Sequence, residues 1–455
     1  MRRRPALVLT AAFLAVLALW AGAQENQPTT AAPGFAPGAD FLIGFATVDL
    51  TPDPVASPGQ LHGYGARENA QAAGVLDPLY ARAMVVRDRA GRLVGIVAVD
   101  LLLVTADVRD AAVSRLRRLG FNDHNLLLTA THTHSGYANY DRRLLVEHYF
   151  GDYNPQRFEW TVAGVVRAVE SAFADLLPGR LLVAQTKLPG LNRNRREPAY
   201  DMDTGRWTDN APQPERFPTD ETMTVLRVTD PAGAPRGAVV HYTAHPTILS
   251  PANLRYSAEW PGVMCAALPD RHGTTLLLNG ALGDVAAPQQ HWGDPADEPA
   301  RMTDYGHAVA QRADTLLTQA QATRISAVGG FSARRIPPPI LLRFYYGVRM
   351  FGPLRKAFLL SENIVLQTVR LGDLVLFAVP GEPTAAVGEH IKALCPAGST
   401  CLVVAPANDY IGYLVAADEY AQGSYHADSC FFAERTVPFL LDGFTLALRN
   451  LQQNF

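Results

Sequence analysis

A short apolar run that leads into two histidines places the strongest constraint on how this chain can fold. Leu126 to Leu128 has the character of a buried strand, and it opens into a segment that carries His132 and His134. Side chains alternate along an extended chain, so the two imidazoles of a His-x-His pair can face one cavity. Imidazole is the commonest zinc ligand in proteins. The segment predicts a metal-binding edge of a sheet; a structural or surface histidine pair is the alternative.

Strand and helix patterns alternate around this run. Arg92 to Val104 is apolar, Thr105 can cap a helix over Asp107 to Leu119, and Leu126 begins the next strand, which together predict a β-α-β unit. The fold class expected is α/β, with mixed β-sheets and packed helices. The other segments that carry this expectation are a helix over Pro155 to Leu177, a hairpin of Met223 to Val228 with Gly237 to Tyr242, a strand over Thr274 to Leu278, and a hairpin of Glu362 to Arg370 with Leu374 to Val379.

Polar residues follow several of these strands. His245 comes after the strand that ends at Tyr242, Glu382 after the one that ends at Val379, and Tyr410 after an apolar run over Thr400 to Val404. Open α/β sheets place their sites at strand ends, so the recurrence favours a shared metal site. Each residue also has an ordinary explanation, since a glutamate there can be a helix-start charge and a tyrosine a packing element.

Composition limits the classes of function. The 455 residues are 48% hydrophobic and 18% charged, with a net charge of −3. No Pro/Gly/Ser-rich linker or charge block divides the chain after about residue 40, so we expect one large catalytic domain over 41–455. The charge gives no reason to expect nucleic acid as a partner, and a small-molecule or lipid substrate is expected instead.

The N-terminus has the layout of a secretory signal. Arg2 to Arg4 precede an apolar run from Ala6 to Trp20, and the small residues of Ala21 to Ala23 follow. We expect a signal peptide over 1–23, a disordered leader over 24–40, and a periplasmic or secreted protein. An uncleaved membrane anchor is the alternative.

Four cysteines fit an oxidising compartment. Cys395 and Cys401 bracket a turn-like stretch and are the expected disulfide, whereas Cys265 and Cys430 can pair or remain buried thiols.

The segment from Ile336 to Leu360 mixes aromatic and basic residues. Phe344, Tyr345 and Tyr346 lie close in sequence to Arg343 and Arg349. This composition suits peripheral contact with a membrane, and we expect the segment beside the mouth of the site; a covered loop or a partner surface explains it equally.

The chain resembles the catalytic domain of the neutral, non-lysosomal ceramidases, zinc amidases that cleave the N-acyl bond of ceramide. The resemblance covers nearly all of residues 42 to 450. The stretches that carry it, in order, are Gly44 to Pro52, Gly63 to Gly65, Leu79 to Ala83, Thr131 to Gly136, Asn192-Arg193, His245-Pro246, Gly283 to Val285, Val379 to Glu382 and Tyr410 to Tyr420.

The resemblance implies a zinc (Zn²⁺) site and a set of substrate-contacting residues. By it, the metal ligands are His132, His245, Glu382 and Tyr413, and the residues around the substrate are His134, Arg193 and Asp284. Two imidazoles and a carboxylate leave a coordination position open for water or a carbonyl.

One departure from the family pattern bears on mechanism. Where the ceramidases continue the Gly-Asp-Val loop with a serine regarded as the nucleophile, this chain has Ala286. We therefore expect an exported zinc-dependent hydrolase that cleaves an amide of ceramide or a related acyl compound by zinc-activated water. A zinc esterase on the same scaffold, or a non-catalytic metal- or lipid-binding relative, remains the alternative.

Overall fold

The computed structural model describes residues 35, 39, 41–198, 200–201, 206–207, 216–288, 294–322, 327–342, 348–350 and 362–453. The expected signal peptide (1–23) and nearly all of the expected leader (24–40) lie outside these residues. Phe35 to Phe455 form one compact unit. Among the described residues, no helix is both long and apolar enough to span a bilayer.

The described residues contain 23 strands. They are β1 (Phe41–Asp49), β2 (Gly74–Val75), β3 (Tyr80–Asp88), β4 (Leu93–Val99), β5 (Leu126–Ala130), β6 (Leu177–Lys187), β7 (Arg193–Asn194), β8 (Tyr200–Asp201), β9 (Arg206–Trp207), β10 (Thr222–Thr229), β11 (Pro235–Tyr242), β12 (Arg255–Tyr256), β13 (Thr274–Asn279), β14 (Val285–Ala286), β15 (Gln321–Ala322), β16 (Val328–Arg335), β17 (Ile340–Leu342), β18 (Val348–Met350), β19 (Ile364–Leu371), β20 (Leu374–Ala378), β21 (Glu382–Pro383), β22 (Thr400–Val404) and β23 (Tyr413–Leu414).

Helices cover the faces of the sheets. They are α1 (Ala106–Leu116), α2 (Leu144–Phe150), α3 (Pro155–Ala174), α4 (Glu259–Ala267), α5 (Pro269–His272), α6 (Glu298–Thr318), α7 (Ala385–Lys392), α8 (Ala417–Gln422), α9 (Tyr425–Asp428) and α10 (Thr436–Gln453).

Two sheets make the centre of the fold. The larger has the order β13-β11-β10-β6-β1-β3-β4-β5, with β15 also paired to β6, and the smaller has the order β16-β19-β20-β22. The buried side chains of Ile43, Met84, Val369 and Leu376 belong to one apolar cluster, so the sheets pack face to face. Both sheets contain parallel and antiparallel pairs. The expected α/β class with mixed sheets is confirmed.

Helices bury the outer faces. α3 packs on β1 and β3, and α10 packs on β16 and β19, which gives layers in the order helix, sheet, sheet, helix. The helix expected over Pro155 to Leu177 is present as α3, although it ends at Ala174. Its Val162, Val165 and Val169 are buried against the larger sheet.

The β-α-β unit expected around the first histidines is present. β4 and β5 are parallel neighbours, and Thr105 caps α1 by accepting a hydrogen bond from the Val108 N–H at 3.3 Å. α1 stops at Leu116, and a 3-10 turn over Arg117–Leu119 ends on Gly120, whose φ of 91° suits glycine. This connection brings the end of β5 to the edge where the histidines follow.

The expected disulfide is confirmed. Cys395 and Cys401 are bonded, and Cys265 and Cys430 are buried free thiols. The bridge closes a loop of sequence separation 6. Chain-entropy reasoning gives a stabilisation of about 2 kcal/mol for so short a loop.

Reduction should therefore lower the free energy of unfolding by about 2 kcal/mol in the wild-type protein. Cys395→Ser/Cys401→Ser should show the lower stability with or without reductant, while Cys265→Ser should retain its sensitivity to reductant. Urea unfolding followed by circular dichroism measures all three, and an equal response to reductant in the double variant would contradict the assignment.

Only part of the segment 336–360 is described. β17 and β18 pair, and the Leu341 N–H donates to the Phe431 carbonyl at 2.9 Å. Phe344, Tyr345 and Tyr346 lie outside the described residues, so membrane contact through this segment stays a prediction.

Candidate metal centre

His132 lies just past the end of β5. Its φ of 73° is in the left-handed region, so the chain has already left the extended conformation on which the His-x-His prediction relied. Its backbone N–H donates to the Leu101 carbonyl at 3.0 Å, and its ring Nδ1 lies 2.6 Å from the Leu102 carbonyl oxygen. Nδ1 must carry the proton to make that bond. The Nε2 lone pair is then free for a ligand.

His245 is held in the same way from the other part of the larger sheet. It follows β11, and its ring Nδ1 lies 2.7 Å from the Leu282 carbonyl oxygen. Burial lowers the pKa of His245 to about 3, so the imidazole is neutral. Its Nε2 lies 3.2 Å from the Nε2 of His132. Two lone pairs that face each other at this distance repel, and a cation between them removes the conflict.

Glu382 completes a triangle with these two nitrogens. Its Oε2 lies 3.4 Å from the His132 Nε2 and 3.3 Å from the His245 Nε2. This oxygen has no hydrogen-bond partner among the described residues. The other carboxylate oxygen accepts a hydrogen bond from the Tyr410 hydroxyl.

The triangle fits a tetrahedral metal. Ligands at roughly 2.0–2.1 Å from zinc lie about 3.3 Å from each other, which matches all three edges. The donor set of two neutral imidazoles and one carboxylate is that of open zinc sites. His132, His245 and Glu382 are thus the residues that would hold the ion.

His134 borders this triangle. Its ligand nitrogen and those of His132 and His245 all lie within 4.8 Å of one another, and both ring nitrogens of His134 lack a hydrogen-bond partner among the residues described. Burial lowers the pKa of His134 well below its ordinary value, so this imidazole is also neutral. Its position suits either a further ligand or a group that contacts substrate.

Tyr413 lies beside Glu382 but its hydroxyl is already engaged. β21 and β23 pair Glu382 with Tyr413, and the Tyr413 hydroxyl accepts a hydrogen bond from Arg195 Nη2 at 2.7 Å. Arg195 Nη2 also lies 3.4 Å from the His245 Nε2. The structure thus brings Tyr413 to the centre, and its role as a ligand stays a prediction.

Arg195 lies at the centre, whereas Arg193 is paired with Glu197, and the expected role of Arg193 at the substrate stays a prediction. Arg193 donates from Nη2 to Glu197 Oε2 at 2.6 Å, and its backbone pairs with Ala286 between β7 and β14. The two arginines lie two positions apart and look equivalent in sequence. In the structure only Arg193 forms the ion pair with Glu197.

Asp284 holds Arg195 and the start of α7 in position through hydrogen bonds. Its carboxylate accepts hydrogen bonds from the Ala385 N–H at 2.7 Å and from the Asn194 side chain at 2.9 Å, and its carbonyl accepts one from the Arg195 N–H at 2.7 Å. Burial raises the pKa of Asp284 to about 6. These contacts make it a positioning residue for Arg195 and for the start of α7.

Both sheets contribute residues to the centre. β5 and β11 belong to the larger sheet, and β20 and β22, which precede Glu382 and Tyr413, belong to the smaller. Their ends are joined because the Ala130 N–H donates to the Pro406 carbonyl at 3.1 Å and the Ala405 N–H donates to the Asn279 carbonyl at 2.9 Å. The seam between the sheets fixes the distance between the histidines and the carboxylate.

A cavity of about 210 Å³ opens next to the cluster. Leu102, Leu103, Val146 and Phe431 supply apolar walls, and the polar residues of the lining are His62, His134, Arg143, Glu382, Tyr410, Tyr413 and Tyr425. Arg143 is paired with Asp141. The lining suits an apolar chain that ends in a polar group at the cluster.

Sequence reasoning missed Arg195 as a member of the site, and it named Tyr410 only as one of the polar residues that follow strands. Arg195 lies two positions after Arg193, and Tyr410 lies three positions before Tyr413. Both stretches carried the family resemblance, but the choice between neighbouring residues of the same type needed the structure.

The fold and the cluster define a class of protein, namely a layered α/β sandwich with a buried His/Glu centre at the seam of its sheets. The family model described as neutral/alkaline non-lysosomal ceramidase, N-terminal, matches residues 41–294. The chain belongs to this family.

Relatives and solved structures agree with this assignment. The chain is 26% identical to a neutral ceramidase of Mycobacterium tuberculosis over 480 residues, which cover 86% of the chain and 74% of the relative. It is 29% identical to the neutral ceramidase of Pseudomonas aeruginosa over 236 residues, 50% of the chain and 34% of the relative.

The crystal structure of neutral ceramidase from Pseudomonas aeruginosa matches 92% of this chain and 75% of that chain with a TM-score of 0.77 at 21% identity. A ceramidase complexed with C2 matches 90% of this chain and 76% of that chain with a TM-score of 0.76 at 22% identity. These likenesses establish the fold.

Proposed function

We propose that the chain is an exported zinc-dependent amidohydrolase that cleaves the N-acyl bond of ceramide or of a related acyl compound. The observation that carries the proposal is the triangle of His132 Nε2, His245 Nε2 and Glu382 Oε2, with edges of 3.2, 3.3 and 3.4 Å. Family membership and the names of the relatives, which are neutral ceramidases, support the reaction class.

The chain's own residues divide the work of the reaction. A zinc ion, when bound, would polarise an amide carbonyl and lower the pKa of water to about 7. Arg195 can donate a hydrogen bond to the carbonyl oxygen as it gains negative charge. His134 can hold the attacking water or the substrate, since both of its ring nitrogens lack a partner. The apolar wall of Leu102, Leu103 and Val146 suits an acyl chain.

A metal assay joined to a substrate screen tests the proposal. The purified protein should contain about one zinc per chain and should hydrolyse an N-acyl lipid, and chelation should abolish turnover. Zinc content without turnover of N-acyl lipids, N-acyl amino acids or simple esters would instead favour a non-catalytic metal-binding protein.

Hydrolysis should proceed without a protein nucleophile. Ala286 cannot attack a carbonyl, and Ser135, which follows His134 in the chain, is buried and accepts a hydrogen bond from Asn253 Nδ2 at 3.0 Å. Ser135→Ala should therefore change kcat less than about threefold, well short of the loss expected for a nucleophile.

Burst kinetics give an independent check on that point. Rapid mixing with an activated acyl substrate should show no burst of released product, because no acyl-enzyme forms. An acyl group found on Ser135 by mass spectrometry would overturn the water mechanism.

Export is a further part of the proposal, supported by the sequence of residues 1–23. The mature protein should begin near Gln24 in the periplasm or the medium, which intact-mass measurement of the exported form decides. An exported form that still begins at Met1 would contradict cleavage.

A further inference from the structure

A second cavity lies next to the first. It has a volume of about 370 Å³, shares Tyr425 with the cavity at the cluster, and has Arg195 and His426 in its wall. Arg195 Nη2 contacts Tyr413 at the cluster, so this one guanidinium borders both the cluster and the second cavity.

The other charged residues of the second cavity already have partners. Arg196 is paired with Glu419, and Glu197 is paired with Arg193 at 2.6 Å. Their charges therefore cancel within the protein and give the cavity no net preference for either sign.

Arg195 differs from these residues. Its Nη2 donates to the Gly283 carbonyl and to the Tyr413 hydroxyl, both at 2.7 Å, and its Nε has no hydrogen-bond partner among the described residues. Within the described part of the chain, no carboxylate forms an ion pair with it. A buried guanidinium without an anion in contact, and with one N–H unused, is a strong site for a carboxylate.

His426 adds a second unused polar group to the same wall. The residue is 2% exposed, and in the part of the chain that the structure describes neither of its ring nitrogens has a hydrogen-bond partner. Its ring packs edge-on against Tyr413 with the centroids 5.2 Å apart. A neutral imidazole carries one N–H, and a buried donor of this kind is costly unless something accepts from it.

We propose that the second cavity is a subsite for a carboxylate, which accepts hydrogen bonds from Arg195 Nε and from the ring of His426. The first cavity has the apolar walls that suit an acyl chain. With the amide carbonyl at the cluster, the amine side of the substrate is the part that would enter the second cavity. The substrate class that follows is N-acyl amino acids, and this step rests on the proposed amidohydrolase function, whereas the carboxylate site does not.

A pair of ligands that cannot be hydrolysed tests the site without catalysis. Octyloxyacetate and 2-octyloxyethanol share the same chain and ether oxygen and differ only in the carboxylate. The zinc-loaded full-length protein should bind octyloxyacetate at least about tenfold more tightly, as expected for a charge-assisted hydrogen bond, in isothermal titration calorimetry. Equal affinity for the two ligands would overturn the proposal, and this comparison needs no variant.

Two variants test whether the preference for octyloxyacetate arises in the second cavity. His426→Phe keeps the ring packing against Tyr413 and removes the N–H, so the preference for octyloxyacetate should fall by about fivefold or more. Arg196→Gln changes a charge in the same wall that Glu419 already neutralises, and the preference should stay within about twofold of wild type. A preference unchanged in His426→Phe would place the carboxylate elsewhere and would also overturn the proposal.

Turnover measurements distinguish the carboxylate subsite from the proposed amidohydrolase function. N-octanoylglycine should have a kcat/KM at least about tenfold above that of N-octanoylethanolamine. Equal turnover of the two would contradict the substrate class while leaving amidohydrolase function intact. No turnover of either, with octyloxyacetate still bound more tightly, would reject the function and leave the subsite standing.

Discussion

His245→Asn should remove both the bound zinc and the turnover of N-acyl substrates. The Nε2 of His245 forms two edges of the ligand triangle, with His132 at 3.2 Å and with Glu382 at 3.3 Å. Changes in groups that only support ligands typically cost 10- to 100-fold in metal affinity, and the loss of a ligand should exceed about 100-fold. Zinc content by mass spectrometry and turnover should fall together.

His241→Asn is the matched control for that variant. His241 lies in β11, four residues before His245, is buried, and contacts the Val403 carbonyl through its Nε2 at 2.7 Å. It takes no part in the cluster, so the variant should lose stability but keep its zinc. If His241→Asn loses zinc to the same extent as His245→Asn, the metal depends on the general integrity of β11 and the assigned triangle is wrong.

Periodicity and turn signals were sufficient to predict the main elements of the fold. The β-α-β unit, the hairpin of β10 and β11, the hairpin of β19 and β20 and the short disulfide loop depend on local patterns, and all of them are present. The division into two sheets depends on contacts far apart in sequence, such as Ala130 with Pro406, and no local pattern encodes them.

Local sequence patterns also could not predict the details of the candidate site. The alternation rule suggested that His132 and His134 lie near each other, and their rings are 5.1 Å apart, but the left-handed backbone of His132 rather than an extended strand produces this placement. Arg193 and Arg195 could not be told apart, because the difference between them is the ion pair that Glu197 makes with only one.

Arg195→Ala should lower kcat by about 10²- to 10³-fold, the cost typical of removing a donor to a developing oxyanion. Arg195 is buried, its Nη2 lies 3.4 Å from the His245 Nε2, and the backbone contact with Asp284 fixes its position. Arg195→Lys should recover little of the loss, since one ammonium cannot replace a planar fork that contacts Gly283, Tyr413 and the substrate at once. Steady-state kinetics with zinc content measured in parallel separates a catalytic loss from a loss of metal.

Arg193→Ala supplies the comparison that decides between the two arginines. Arg193 forms an ion pair with Glu197, so removing the Arg193 side chain leaves a buried carboxylate unpaired and should destabilise the protein by about 3 kcal/mol. The kcat of the folded fraction should stay within about tenfold of wild type. Arg193→Ala/Glu197→Ala should regain part of that stability, because it removes both charges. A fall in kcat for Arg193→Ala as large as that for Arg195→Ala, at full zinc content and in a folded protein, would assign the substrate-binding role to Arg193. It would also remove the basis for a guanidinium shared between the cluster and the second cavity.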